Sequence, residues 1–205
     1  MGIYEMILAI PALMVSLAFH EYAHAKAADF QGDTTPRLAG RLTLNPIAHI
    51  DPIGLVAFWF FRFGWAKPVP INPSRFRNKR FGTVYVSIAG PLTNFAIAFM
   101  SVLVYRSGFL SFNQATETVM VMLVIYNVSF GIFNLIPIPP LDGSHVLKGL
   151  LGKRLPAFYS EFESFGMIIL LVLLWTGIAG RFLIPLVNNI IGVFDTLARV
   201  ILMGT

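Results

Sequence analysis

Residues 4–26 read "YEMILAIPALMVSLAFHEYAHAK". Up to Phe19 the only charge is Glu5, and the rest suits the middle of a bilayer. His20, Glu21 and His24 then follow just before Lys26. A spanning helix takes about 20 mainly apolar residues, so this stretch predicts one. Ionisable groups inside a span are costly to bury and usually functional. Three of them on one turn ask for a metal or a water-filled cavity.

The rest of the chain agrees with a membrane setting. Hydrophobic residues make up 56% of the 205 and charged residues 12%. Mean hydropathy is +0.73. An ordinary globular chain carries roughly twice that charge fraction. Cysteine is absent, which excludes a disulfide framework and any thiolate metal site. A metal here needs imidazole and carboxylate ligands. The net charge of +5 reads as basic loops at one membrane face, with no nucleic-acid role. The N-terminus has neither a basic n-region nor an A-x-A-like cleavage site, so residues 3–27 read as a retained helix. No repeat, low-complexity run or polar linker breaks the sequence. It reads as a single integral membrane domain over 1–205, with a core at about 4–150 and C-terminal helices at about 160–203.

Three further windows approach spanning length: 82–105, 117–136 and 163–180. Two segments are ambiguous. "PIGLVAFWFFRF" at 52–63 is apolar but only about 18 Å long as a helix. Residues 182–203 carry Asn188, Asn189, Asp195 and Arg199 and suit either a span or an interfacial helix. If 52–63 dips and returns, twelve of the fifteen basic residues share one side. These are Lys26, the eight from Arg37 to Arg80, and Lys148, Lys153 and Arg154. Arg106 and Arg181 fall opposite. If 52–63 crosses, the Arg75–Arg80 cluster is parted from Arg37 and Arg41. The positive-inside rule prefers the dip and sends the N-terminus outward. Around it, "RLAGRLTLNP" at 37–46 alternates like a short strand. "AKPVPINP" at 66–73 is extended, because prolines disfavour helix. Irregular backbone at membrane depth is tolerated only against protein or water, so this region covers a cavity.

The spacing of "HEYAH" puts His20 and His24 on one helical face, about 5–6 Å apart, as two ligands of one tetrahedral ion. Glu21 stands beside the first, where a carboxylate can deprotonate a water that zinc acidifies. A catalytic zinc takes three protein ligands and keeps one position open. Asp142 offers the third. It follows the helix-breaking Pro137, Pro139 and Pro140 in "NLIPIPPLDG", at the end of a span that runs the same way as the first. Taken alone, Asp142 also reads as a solvated loop aspartate, and H-E-x-x-H alone as a chance pattern.

Together and in order, "HEYAH", "AGPLTN" and "NLIPIPPLDG" resemble the site-2 protease family of intramembrane zinc metalloproteases, over residues 10–150. The small size is similar to the compact prokaryotic branch without PDZ or CBS modules. The resemblance implies an all-α polytopic bundle of about 4–6 transmembrane helices. A membrane-re-entrant β-hairpin or loop region lies between the first two core helices. It implies one Zn2+ per chain on His20, His24 and Asp142, with Glu21 as base. Asn94 and Asn134 match asparagines tied to substrate binding or transition-state support. It implies cleavage of single-span membrane proteins within the bilayer, in a prokaryotic cell membrane, with the site toward the cytoplasm. Substrate choice then rests on membrane determinants or a membrane regulatory partner.

A buried asparagine must satisfy its amide, and interhelical bonding is the plain alternative for Asn94, Asn134 and Asn127. His145 reads as supporting or surface rather than a fourth ligand, which would close the open position. His49 and Asp51 read as loop organisers, and Gly90 and Pro91 as close packing or a kink. The rival function is a membrane zinc scaffold or regulator without protease activity. A transporter is weaker, because no inverted repeat is evident.

Overall fold

The computed structural model describes residues 3–61, 65–109, 113–156 and 158–204. Within them the fold is helical. α1 spans Ile3–Phe30, α2 Thr35–Leu38, α3 Pro52–Phe61 and α4 Lys79–Ser107. α5 spans Gln114–Asn134, α6 Asp142–Leu151, α7 Phe158–Trp175 and α8 Ile178–Met203.

Local chemistry sets the boundaries. The Asn78 side chain accepts from the Phe81 N–H and caps α4, which ends at Gly108 with φ +63°. Asn113 and Thr116 form a capping box at the start of α5. The proline run from Pro137 ends α5.

Among the described residues, four helices are long and apolar enough to cross a membrane: Ile3–Phe30, Phe81–Ser107, Gln114–Asn134 and Ile178–Met203. The window expected at 163–180 falls in α7 and the turn after it. There the helix stops at Trp175 and Gly177, at φ +71°, turns the chain into α8. The ambiguous 182–203 segment is therefore part of a full-length helix, and its two charged residues, Asp195 and Arg199, are paired. Asp195 Oδ1 accepts from Arg106 Nε at 2.5 Å. Asp195 Oδ2 accepts from Arg199 Nε at 3.0 Å.

α1, α4 and α5 pack on one another, and α8 packs on α4 and α5. Ala98, Val102, Val124, Val128, Val187 and Ala198 form the buried seam. Small side chains there let the backbones approach, which drives helix association in lipid. α8 runs parallel to α4. Its start lines the same cavity as His24. Further on, Phe194 meets Phe99 at 5.4 Å between ring centroids and Asp195 meets Arg106. α6 and α7 thus connect α5 to α8 at one end of the bundle.

The expected β-hairpin does not form among the described residues. It is reduced to one antiparallel bridge, Ile50 with Ala66, beside which the Lys67 N–H donates to the His49 carbonyl at 2.9 Å. The alternating pattern at 37–46 is broken three times. Pro36 opens α2 and draws in Arg37 and Leu38. Gly40 turns at φ +68°. Pro46 opens a 3-10 turn capped by Asn45. Residues 66–72 are extended as expected, but Pro68 and Pro70 have no N–H for a ladder. α3 is about 15 Å long, too short to cross.

Two buried charged side chains fasten this cover. The Asp33 carboxylate accepts from the Thr35 N–H at 3.0 Å and the Asn72 N–H at 2.6 Å, tying the end of α1 to the extended segment. Burial pushes its pKa up, but the Asn72 and Thr35 donors, with Arg75 nearby, outweigh it and hold the carboxyl below the usual range. The Arg41 guanidinium donates to the carbonyls of Ala48, Lys67 and Pro68.

Candidate metal centre

The i, i+4 spacing on α1 brings both imidazoles to one face. The His20 and His24 Nε2 atoms lie 3.0 Å apart. Asp142 Oδ2 is 3.2 Å from each. Asp142 reaches them because the chain doubles back after α5. A Cβ on Gly143 would lie 2.2 Å from the Leu135 carbonyl oxygen, so glycine alone fits that turn. Asp142 is the first residue of α6, not the loop residue the prolines suggested.

The tautomers decide what this triangle can hold. His24 Nδ1 donates to the Val86 carbonyl at 2.8 Å, and a backbone carbonyl can only accept. His20 Nδ1 donates to Asn94 Oδ1 at 2.5 Å. With both Nδ1 atoms protonated, neutral rings turn their Nε2 lone pairs toward each other and toward a carboxylate oxygen. Three converging lone pairs repel unless a cation sits among them. A tetrahedral zinc with bonds of about 2.0–2.1 Å holds its ligand atoms about 3.3 Å apart, close to the observed spacing. The residues fit the metal.

Space is kept for it by Gly90, where the close packing expected of that residue is packing of α4 against the two imidazoles. A Cβ on Gly90 of α4 would lie 2.4 Å from His24 Nε2 and 2.7 Å from His20 Nε2.

Glu21 accepts from the Val69 N–H at Oε2, 3.1 Å, so the base candidate is fixed to the extended segment. His20, Glu21, His24 and Asp142 share the wall of a cavity of about 1310 Å3 with Leu17, Phe133, Asn134, Leu170 and Leu183. Asn134 donates to the Phe130 carbonyl at 3.1 Å and lines the cavity. Asn94 does not line it. It is fully buried behind His20, to which its Oδ1 is bonded, and its Nδ2 donates to the Ser16 carbonyl and to Asn127 Oδ1. His145 lies one turn beyond Asp142 on the cavity wall, outside the ligand triangle. Burial, then Lys148, holds its pKa below the ordinary value. His49 donates from Nε2 to the Thr43 carbonyl at 2.8 Å, the loop role expected of it.

The family model described as "Peptidase family M50" matches residues 102–176. A Bacillus subtilis strain 168 protein named "Putative zinc metalloprotease YwhC" is 38% identical over 183 residues, covering 86% of this chain and 84% of that one. A Mycolicibacterium smegmatis protein named "Putative zinc metalloprotease Rip2" is 30% identical, covering 88% and 71%. "Zinc metalloprotease MJ0392" of Methanocaldococcus jannaschii is 29% identical, covering 69% and 34%. No solved structure matches the chain.

Proposed function

The chain belongs to peptidase family M50, the site-2 protease family of zinc metalloproteases, and from that premise we propose that it cleaves membrane-spanning segments of single-span proteins within the bilayer. The observation that carries this reading is the convergence of the two Nε2 lone pairs with Asp142 Oδ2, beside Glu21, on one cavity wall. Zinc, when held by His20, His24 and Asp142, supplies Lewis acidity that polarises a carbonyl and acidifies water.

This chain's own residues do the rest. Glu21 is the general base. Val69 holds one of its oxygens, and the other takes a proton from water and returns it to the leaving amine. Asn134 steadies the substrate carbonyl from the cavity wall with its amide hydrogen that Phe130 does not use. Leu17, Phe133, Leu170 and Leu183 make the wall apolar, which suits a hydrophobic segment. That segment must unwind, because helical backbone groups are committed to each other.

Lys26, at the site-bearing end of α1, and the basic residues of the stretch that follows it fall on one side of the charge pattern, with Arg106 at the other end of α4. By the positive-inside rule this supports a prokaryotic inner-membrane location with the site toward the cytoplasm. A membrane regulatory partner that governs substrate access is consistent with a site this enclosed.

The test uses wild type and Glu21→Gln with single-span substrates in proteoliposomes. The variant is expected to keep zinc and lose cleavage by about 10²–10⁴-fold. Equal turnover would sink Glu21 as base. A wild type that binds zinc and cleaves no membrane segment would favour the scaffold.

A further inference from the structure

A hydrogen-bonded chain runs through the bundle behind the metal centre, and its direction can be read from its fixed ends. Ser16 Oγ donates to the Ala12 carbonyl at 2.7 Å. Its lone pair then accepts from Asn127 Nδ2 at 2.7 Å. The second Asn127 amide hydrogen goes to the Leu123 carbonyl at 2.8 Å. Backbone carbonyls only accept, so the Asn127 amide can face one way only, with Oδ1 pointing at Asn94. Asn94 Nδ2 donates to that oxygen at 2.7 Å and to the Ser16 carbonyl at 3.1 Å. Asn94 Oδ1 is thereby turned to His20 and accepts from Nδ1. Ser16, Asn94 and Asn127 are all fully buried, so no water competes.

We propose that Asn127, supported by Ser16, is a positioning residue that fixes the orientation of the Asn94 amide and thereby keeps the Nε2 lone pair of His20 available to the metal. A flipped Asn94 amide would set an N–H against the N–H of His20. The ring would have to move its proton to Nε2, and a protonated nitrogen cannot be a ligand. Partners of this kind are worth about 10–100-fold in metal affinity. The inference rests on the zinc reading above.

The test measures zinc affinity by chelator competition and the absorption spectrum of the cobalt-substituted protein in detergent. Asn127→Leu is expected to bind zinc about 10–100-fold more weakly, with an altered cobalt spectrum. The second variant, Asn94→Asp, has two oxygens and no amide to flip, so it presents an acceptor to His20 whichever way it turns. Asn127→Leu added to Asn94→Asp is expected to restore affinity relative to Asn127→Leu alone. A merely structural asparagine would cost as much in both backgrounds, and that result overturns the proposal. Wild-type affinity in Asn127→Leu overturns it too. His20→Ala separates the two readings. If it binds zinc as wild type does, the metal site itself is wrong. If it loses zinc while Asn127→Leu does not, only the positioning role fails.

Discussion

The Val69 N–H donates to Glu21 Oε2 at 3.1 Å across 48 residues of sequence. It joins the zinc-motif helix to the extended segment that covers the cavity. The carboxylate is therefore oriented by a backbone group that any side chain at 69 would supply, except proline. Hydrogen bonds to charged groups contribute about 1.5–3 kcal/mol, and 1.4 kcal/mol is a factor of ten. Val69→Pro is expected to lose roughly tenfold or more in kcat with zinc content unchanged, while Val69→Ala keeps most activity. Equal rates for the two variants would show that the bond does not orient Glu21.

Gly90→Ala tests the space around the ligands. The added Cβ would lie 2.4 Å from His24 Nε2, against imidazoles held on their other side by Val86 and Asn94. Neither ring can withdraw without losing its bond. The variant is expected to purify as a folded helical protein with little or no zinc, read by metal analysis and circular dichroism. A full complement of zinc would refute the packing argument.

Asp33 gives a pH prediction. Its folded pKa is depressed, so its stabilisation is fully present above the unfolded value of about 3.9 and is lost as pH falls through the folded value. Protection of the Asn72 amide, taken relative to its intrinsic exchange rate, should fall below about pH 4 in wild type. Asp33→Asn should exchange faster at neutral pH, since weakening a buried acceptor costs about 1–3 kcal/mol. Identical exchange profiles would dismiss Asp33 as the clasp.

Arg41 serves three carbonyls that no shorter donor can reach together. Arg41→Met leaves them without that donor. Limited proteolysis should cut the stretch between α2 and α4 much faster than in wild type, with zinc retained and activity reduced. Unchanged cleavage kinetics would argue that the cover is held by other contacts.

The metal centre was largely legible in the sequence because its chemistry is local. The i, i+4 spacing brings His20 and His24 together on any helix, and the proline run before Asp142 marks where a chain must turn. Other features exist only in three dimensions. Nothing in the linear pattern says that Gly90 of α4 faces two imidazoles, or that Asn94 stands behind one of them. The strand expected at 37–46 failed because alternation is a weak signal when Pro36, Gly40 and Pro46 each impose their own backbone geometry. The last span was obscured by Asn188, Asn189, Asp195 and Arg199. A hydropathy count charges these residues in full, whereas the fold gives Asp195 two arginines and places Asn188 on the cavity wall.

From Lys67 to Pro70 the cover has no backbone donor left to give. Lys67 donates to His49 and Val69 to Glu21, and the two prolines have no N–H. An exposed extended edge is ordinarily an invitation to fibril growth, because a second strand can zip onto it. Here Arg41 already takes the Lys67 and Pro68 carbonyls as well. Such an edge cannot complete a reciprocal ladder with another copy of itself, so the cover is closed to self-templated strand pairing along this stretch.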